Sequence, residues 1–119
     1  MDEKMRQQLI EAGIDIDDLM NRLMGKNDMI QRFIRRFPAD ESFNLLQRNL
    51  DEGNCEDAFR ACHTLKGLCA NLSMKEMWNV ISQQVEMLRA GEIEKAKEIM
   101  PKISEMYRKM IDDIERIFP

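Results

Sequence analysis

Residues 55–72 read CEDAFRACHTLKGLCANL. Within them the apolar positions Cys55, Ala58, Cys62, Leu65, Cys69 and Leu72 fall at alternating intervals of three and four. An unbroken heptad pattern of that kind marks a helix packed along one stripe in a bundle. Asn54 stands just ahead of it as a helix-capping residue. The residues between the seam positions are mostly polar or charged, so the opposite face of this helix is expected to meet water.

Outward from that stretch the chain reads as more helix. Residues 2–12 form a short leading helix that stops at Gly13, a favoured residue after a helix end. Asp15 caps a second short helix over about 16–24, closed by Gly25. Asn27 is placed to cap a longer helix carrying Met29, Ile30, Phe33, Ile34 and Phe37, which Pro38 should kink or divide. Helix resumes near Asp40, carries Phe43, Leu46 and Leu50, and runs to Gly53. Ser73 and Glu76 have the spacing of a capping box. They open a helix that buries Met77, Trp78, Ile81, Val85 and Leu88 and ends at Gly91. The last helix, over about 92–117, carries Ile93, Ala96, Met100, Ile103, Tyr107, Met110, Ile114 and Ile117, with a local bend expected at Pro101. Four long amphipathic helices joined by short connections predict an all-α fold, an antiparallel four-helix up-down bundle with short N-terminal helices. Residues 1–119 then form a single helical domain whose core bundle spans about 27–117.

Composition points the same way. Only 6% of residues are aromatic and two are valine, which is poor material for sheets. With 119 residues the chain has no room for a kinase catalytic domain or a two-domain nucleotide enzyme. A net charge of −4 argues against nucleic acid as a partner. The cysteines repeat every heptad, about 10 Å apart along one helix, too far for a disulfide or a shared metal ion. Their odd number suits a reducing compartment. A single histidine rules out the histidine-rich metal sites of helical bundles, so no metal is expected. No apolar run approaches a membrane span, and the opening MDEKMRQQLI is charged rather than leader-like. A cytoplasmic protein with no membrane partner is expected, and Met1 at the start fits a whole protein better than an excised module.

The seam also orients the rest of the quoted helix. With Cys62 and Leu65 facing inward, Arg60, His63 and Gly67 project toward water and Lys66 sits on the flank. Glu56 and Ala70 extend the same strip. Glycine inside a helix costs about 1 kcal/mol against alanine, and Gly67, four residues after His63, leaves a gap beside the imidazole. A neutral imidazole can attack an electrophile through a ring nitrogen. An ammonium one turn away can offset the charge of a transferred phosphoryl group. Together these are the parts of a phosphoryl acceptor that relies on its partner for catalysis, with Arg60 adding to the local field. The docking surface centres on the His63 strip, with Phe59, Leu68, Gly67 and Ala70 as its candidate residues.

His63-Thr64-Leu65-Lys66-Gly67, followed by Asn71-Leu72, resembles the signature of histidine-containing phosphotransfer (HPt) domains. Gly13-Ile14-Asp15, Met24-Gly25 and Val85-Glu86 fit the same family pattern, so the resemblance covers roughly residues 12–117. It implies that His63 is phosphorylated by a receiver-domain phosphoaspartate and returns the group to another receiver. It also implies that Lys66 steadies the phosphohistidine and that Gly67 permits docking. The implied partners are response-regulator receiver domains and a hybrid sensor kinase. No cofactor belongs to this chain, magnesium being expected on the receiver, and the protein is a phosphocarrier rather than an enzyme. Two residues depart from the family pattern: Ser73 stands where glycine is frequent, and Cys62 where alanine commonly precedes the histidine.

Two other readings compete. In the dimerisation helix of a sensor kinase an acidic residue commonly follows the histidine, whereas Thr64 follows His63 here and no ATP-binding domain fits in the chain. In a purely structural or adaptor bundle, His63 would be incidental. Five helical segments can close a bundle within one chain, so a monomer is expected. The eleven methionines fall mostly at core positions, and Asp112-Asp113 reads as a solvated face.

Overall fold

Polar and apolar residues alternating at helical spacing turn the chain into seven α-helices and no strand, as a computed structural model of residues 1–119 shows. They are α1 (Glu3–Ala12), α2 (Ile16–Arg22), α3 (Asn27–Arg36), α4 (Ser42–Asp51), α5 (Cys55–Asn71), α6 (Lys75–Arg89) and α7 (Ile93–Ile117). Pro38 sits in a 3-10 turn, Phe37–Ala39, that separates α3 from α4. The fold is all-α, as composition and periodicity imply.

Helices α4, α5, α6 and α7 pack against one another in chain order, and α7 also touches α4. Turns of three residues link α4 to α5, α5 to α6 and α6 to α7. Contacts between α5 and α6 run in opposite directions along the two helices. Cys55 at the start of α5 meets the carbonyl of Leu88 near the end of α6, while Cys62 meets Ile81 and Gln84 at mid-helix. Helices α1 and α3 lie on α7. Thirty buried apolar residues make one continuous core, which includes the seam positions Ala58, Cys62, Leu65, Cys69 and Leu72. Cys55 is only half-buried. Near the 3-10 turn, Phe43 stacks flat on Tyr107 at 4.0 Å and Phe37 leans on the same ring at 5.7 Å.

The core holds one polar side chain with no access to water. Gln84 donates through Nε2 to the Ala96 carbonyl at 2.9 Å and to Met100 Sδ, and its Oε1 accepts from the Cys62 thiol at 3.2 Å. All its polar atoms are thereby satisfied, which is the condition for burying an amide without a large desolvation cost. Burial pushes the thiols of Cys62 and Cys69 up to about 12, so both are protonated, inert core residues.

Several local expectations give way to tertiary contacts. Asn27 does not cap α3: the capping position is Lys26, without a side-chain hydrogen bond, and Asn27 Oδ1 is buried with no partner. Helix α2 stops at Arg22, because Met24 (φ +55°) and Gly25 (φ +72°) turn the backbone left-handed before residue 26. Helix α4 begins at Ser42, whose N–H is met by Asp40 Oδ1 at 2.8 Å. Ser73 and Glu76 form no capping box. Ser73 instead takes the left-handed conformation (φ +54°) that ends α5, and α6 starts after Met74 with no side-chain cap. Phe33 and Trp78, both assigned to the core from periodicity, are 38% exposed. Asp113 is not a freely solvated residue, since its side chain is only 14% exposed and bridges Lys109 and Arg116. By contrast, the caps at Asp15 and Asn54 form as read, accepting from the N–H groups of Asp18 and Asp57. At Gly13 a φ of +104° lets the backbone close α1 onto the carbonyls of Leu9 and Ile10.

Candidate functional site

The local rule that builds the site is the seam of α5. Because Cys62, Leu65 and Cys69 face the core, the positions between them must face out. Glu56, Arg60, His63, Gly67 and Ala70 are all exposed, while Phe59, Lys66 and Leu68 are half-buried along the flanks. The His63 ring leans on Phe59, with centroids 5.9 Å apart and planes tilted by 40°. Arg89 of α6 lies over the Phe59 ring at 5.0 Å, so His63, Phe59 and Arg89 form a shallow row of planar groups across two helices. No hydrogen bond or ion pair engages the imidazole. Neither ring nitrogen is tied up within the chain, and the unprotonated one of the neutral ring keeps its lone pair available for attack.

Beside it, a Cβ added at Gly67 would meet nothing within 4 Å. The absence of a side chain there is therefore not required by packing within this chain. What it leaves is open space next to the ring, reachable from outside. Thr64, the neighbour of His63, turns its hydroxyl back to the Arg60 carbonyl at 3.0 Å.

The two cations of α5 that flank His63 differ in what already holds them. Arg60 is bound to Glu56 at 2.6 Å and to Asp57 at 3.2 Å, both one turn toward the start of α5. Its guanidinium is drawn away from His63 and its charge is offset locally. Lys66 has no carboxylate partner, and its ammonium lies 5.4 Å from the centre of the Trp78 ring on α6. Of the two, Lys66 is the cation available to a new anion at His63.

One further element is adjacent. A groove of about 430 Å³ runs past the second half of α5, lined by Leu68 of α5 and Leu72 just after it, by Phe33 of α3 and Phe37 of the 3-10 turn, and by Arg22 and Arg36. Leu68 alone of these was legible as a surface contact from sequence. The others come from three separate segments, and no local spacing signals that they converge. Phe33 carried the only available hint, an aromatic between Arg32 and Arg35-Arg36.

An all-α chain that presents an unengaged imidazole on a bundle helix, with a lysine one turn on and a gap at the fourth position, has the form of a phosphoryl carrier. Residues 28–116 match the family model of the Hpt domain. Neither a curated protein nor a solved structure was found to match. The chain belongs to the Hpt domain family, whose members carry phosphoryl groups in two-component phosphorelays and interact with receiver domains and kinases. They are phosphocarriers rather than a catalytic enzyme family. No helix is long and apolar enough to cross a membrane.

Proposed function

We propose that His63 is the phosphorylated residue of a multistep phosphorelay, taking a phosphoryl group from the phosphoaspartate of one receiver domain and passing it to another. The observation that carries this reading is the exposed, unengaged imidazole beside the open space at Gly67. In the forward step the lone pair of a ring nitrogen attacks phosphorus. The bond between phosphorus and the aspartate oxygen breaks, and the carboxylate leaves with its electron pair. Nε2, the nitrogen farther from the backbone, is the acceptor in this reading. The reverse step restores the imidazole and phosphorylates the next receiver.

Lys66 offsets part of the charge on the transferred group, about −2 near neutral pH. Arg60 contributes only to the extent that it lets go of Glu56 and Asp57, so its part in the site is minor. Gly67 and Ala70 keep the approach to the ring clear. Phe59 and Leu68, with the neighbouring groove, give a receiver an apolar surface to dock on. Magnesium and acid–base groups belong to the receiver, this chain needs no cofactor of its own, and it works as a cytoplasmic monomer.

Incubation with a phosphorylated receiver tests the assignment. Wild-type protein is expected to gain acid-labile, alkali-stable label. His63→Gln, at an exposed position outside the buried core, should fold normally and gain none. Label retained on that variant would move the site elsewhere.

A further inference from the structure

The ammonium of Lys66, one helical turn from His63 on α5, is held by an indole rather than a carboxylate. Lys66 and His63 are three residues apart on α5, which puts their side chains on adjacent parts of one surface. Trp78 comes from the first half of α6, which runs antiparallel to α5, and it meets Lys66 from the side. Trp78 is 38% exposed although it has the largest apolar side chain in the protein, so it is not simply filling the core.

We propose that Trp78 is a positioning residue for the phosphoryl site, its ring holding the Lys66 ammonium on the α6 flank of His63 with the charge left uncommitted. This rests on the reading that His63 carries the phosphoryl group. A lysine side chain has many rotamers, and ordering it when the anion arrives would cost part of the interaction gained. A carboxylate partner would order it but also neutralise it, which is the situation of Arg60. An aromatic face orders a cation through its quadrupole and adds no opposing charge. An ammonium carries three donors, and a ring on one side leaves the others free for phosphoryl oxygens. Because a charge-assisted hydrogen bond to phosphate is stronger than an exposed cation–ring contact, the ammonium shifts toward the phosphoryl group once it is present. Trp78 is the only tryptophan in the chain, so that shift has its own optical signal.

The test uses the full-length protein and phosphoramidate as donor. A ring nitrogen displaces ammonia from phosphorus: the new P–N bond forms as the old one breaks, and the imidazole gives up its other ring proton to the buffer. Wild-type protein is expected to gain acid-labile label with a change in tryptophan emission, and Lys66→Met should lose that emission change. In Trp78→Leu the phosphohistidine should decay roughly two- to fivefold faster, the range an exposed cation–ring contact supports. Trp78→Phe should recover most of the lifetime. Combined with Lys66→Met, Trp78→Leu should have no further effect. A wild-type decay rate in Trp78→Leu, or the same factor persisting without Lys66, would overturn the positioning role while leaving the His63 assignment intact. Absence of acid-labile label from wild-type protein would overturn that assignment, and the positioning role with it.

Discussion

At Gly67 the helix carries a residue that its own packing does not require. A Cβ there meets open space, so Gly67→Ala should raise stability by about 1 kcal/mol through helix propensity alone. Urea unfolding would measure it. Gly67→Leu should keep the helix but slow transfer from a phosphorylated receiver strongly, because the added chain fills the approach to His63. A Leu variant that transfers at the wild-type rate would remove the clearance argument. The direction in which most residues of α5 point was legible in the sequence, because the heptad seam decides it, although Ala61 is buried outside the seam and Cys55 within it is only half-buried. What holds each side chain was not legible. Nothing in the spacing of Arg60 and Lys66 says that one is bound by two carboxylates and the other lies over a ring. Trp78 itself was assigned to the core, since an aromatic at helical spacing gives the same signal whether it meets other side chains or a lysine stem.

Between elements, the end of α5 shows how a local signal is overridden. Ser73 sits in a left-handed conformation, which is uncommon for a residue with a Cβ. Two side chains of the α2 segment hold its hydroxyl, which donates to Asp18 at 2.7 Å and accepts from Arg22 at 2.6 Å. Arg22 also donates at 3.1 Å to the carbonyl of Ala70, which accepts from the Ser73 N–H as well, and to that of Asn71, an oxygen that a helix end otherwise leaves open. The N–H of Asp15 donates to the Ser73 carbonyl at 3.0 Å, and Lys75 reaches back to Asp15 at 2.9 Å. Arg22→Ala should lower stability by about 1–2 kcal/mol and raise amide exchange at Asp15, whose acceptor sits on the turn that Arg22 holds. Unchanged exchange there would show that the turn holds without the arginine. Helix ends written in adjacent residues, such as the caps at Asp15 and Asn54, were readable from sequence. Ser73 was misread because its partners lie more than fifty residues away, beyond the reach of any capping rule. Asn27 was misread for a related reason, since a good capping residue does not cap when its side chain is turned into the protein.

Across the whole molecule, three carboxylates make stability depend on acidity. Hydrogen bonding to Lys75 and to the Asp18 N–H holds Asp15 below the usual aspartate range. The Ser73 hydroxyl and Arg22 do the same for Asp18. Burial pushes Asp113 up, but its bonds to Lys109 and Arg116 outweigh that and leave it lowered. A carboxylate with a depressed folded pKa stabilises the fold above its unfolded value of about 3.9 and loses that contribution as pH falls through the folded value. The urea midpoint should therefore be nearly flat from neutral pH to about 5 and fall steadily below about 4. In Asp18→Asn the fall should be smaller from a lower starting point, and an identical acid slope would show that this carboxylate does not carry the dependence. At this scale the all-α class and the order of the helices were plain from periodicity and glycine spacing. The apolar groove beside α5 was not, since it exists only once α2, α3 and α5 are brought together.

The turn after α5 carries one more consequence. A glycine at position 73 would take the left-handed backbone without strain and leave no hydroxyl to accommodate. Serine in this chain brings both strain and a hydroxyl, and its remedy lies at Asp18 and Arg22, more than fifty residues earlier in the chain. Ser73 and the segment that carries Asp18 and Arg22 are thus a coupled pair: moving the helix with its serine out of reach of those two side chains would import the liability without its cure, and Ser73→Gly here would release the segment from that duty.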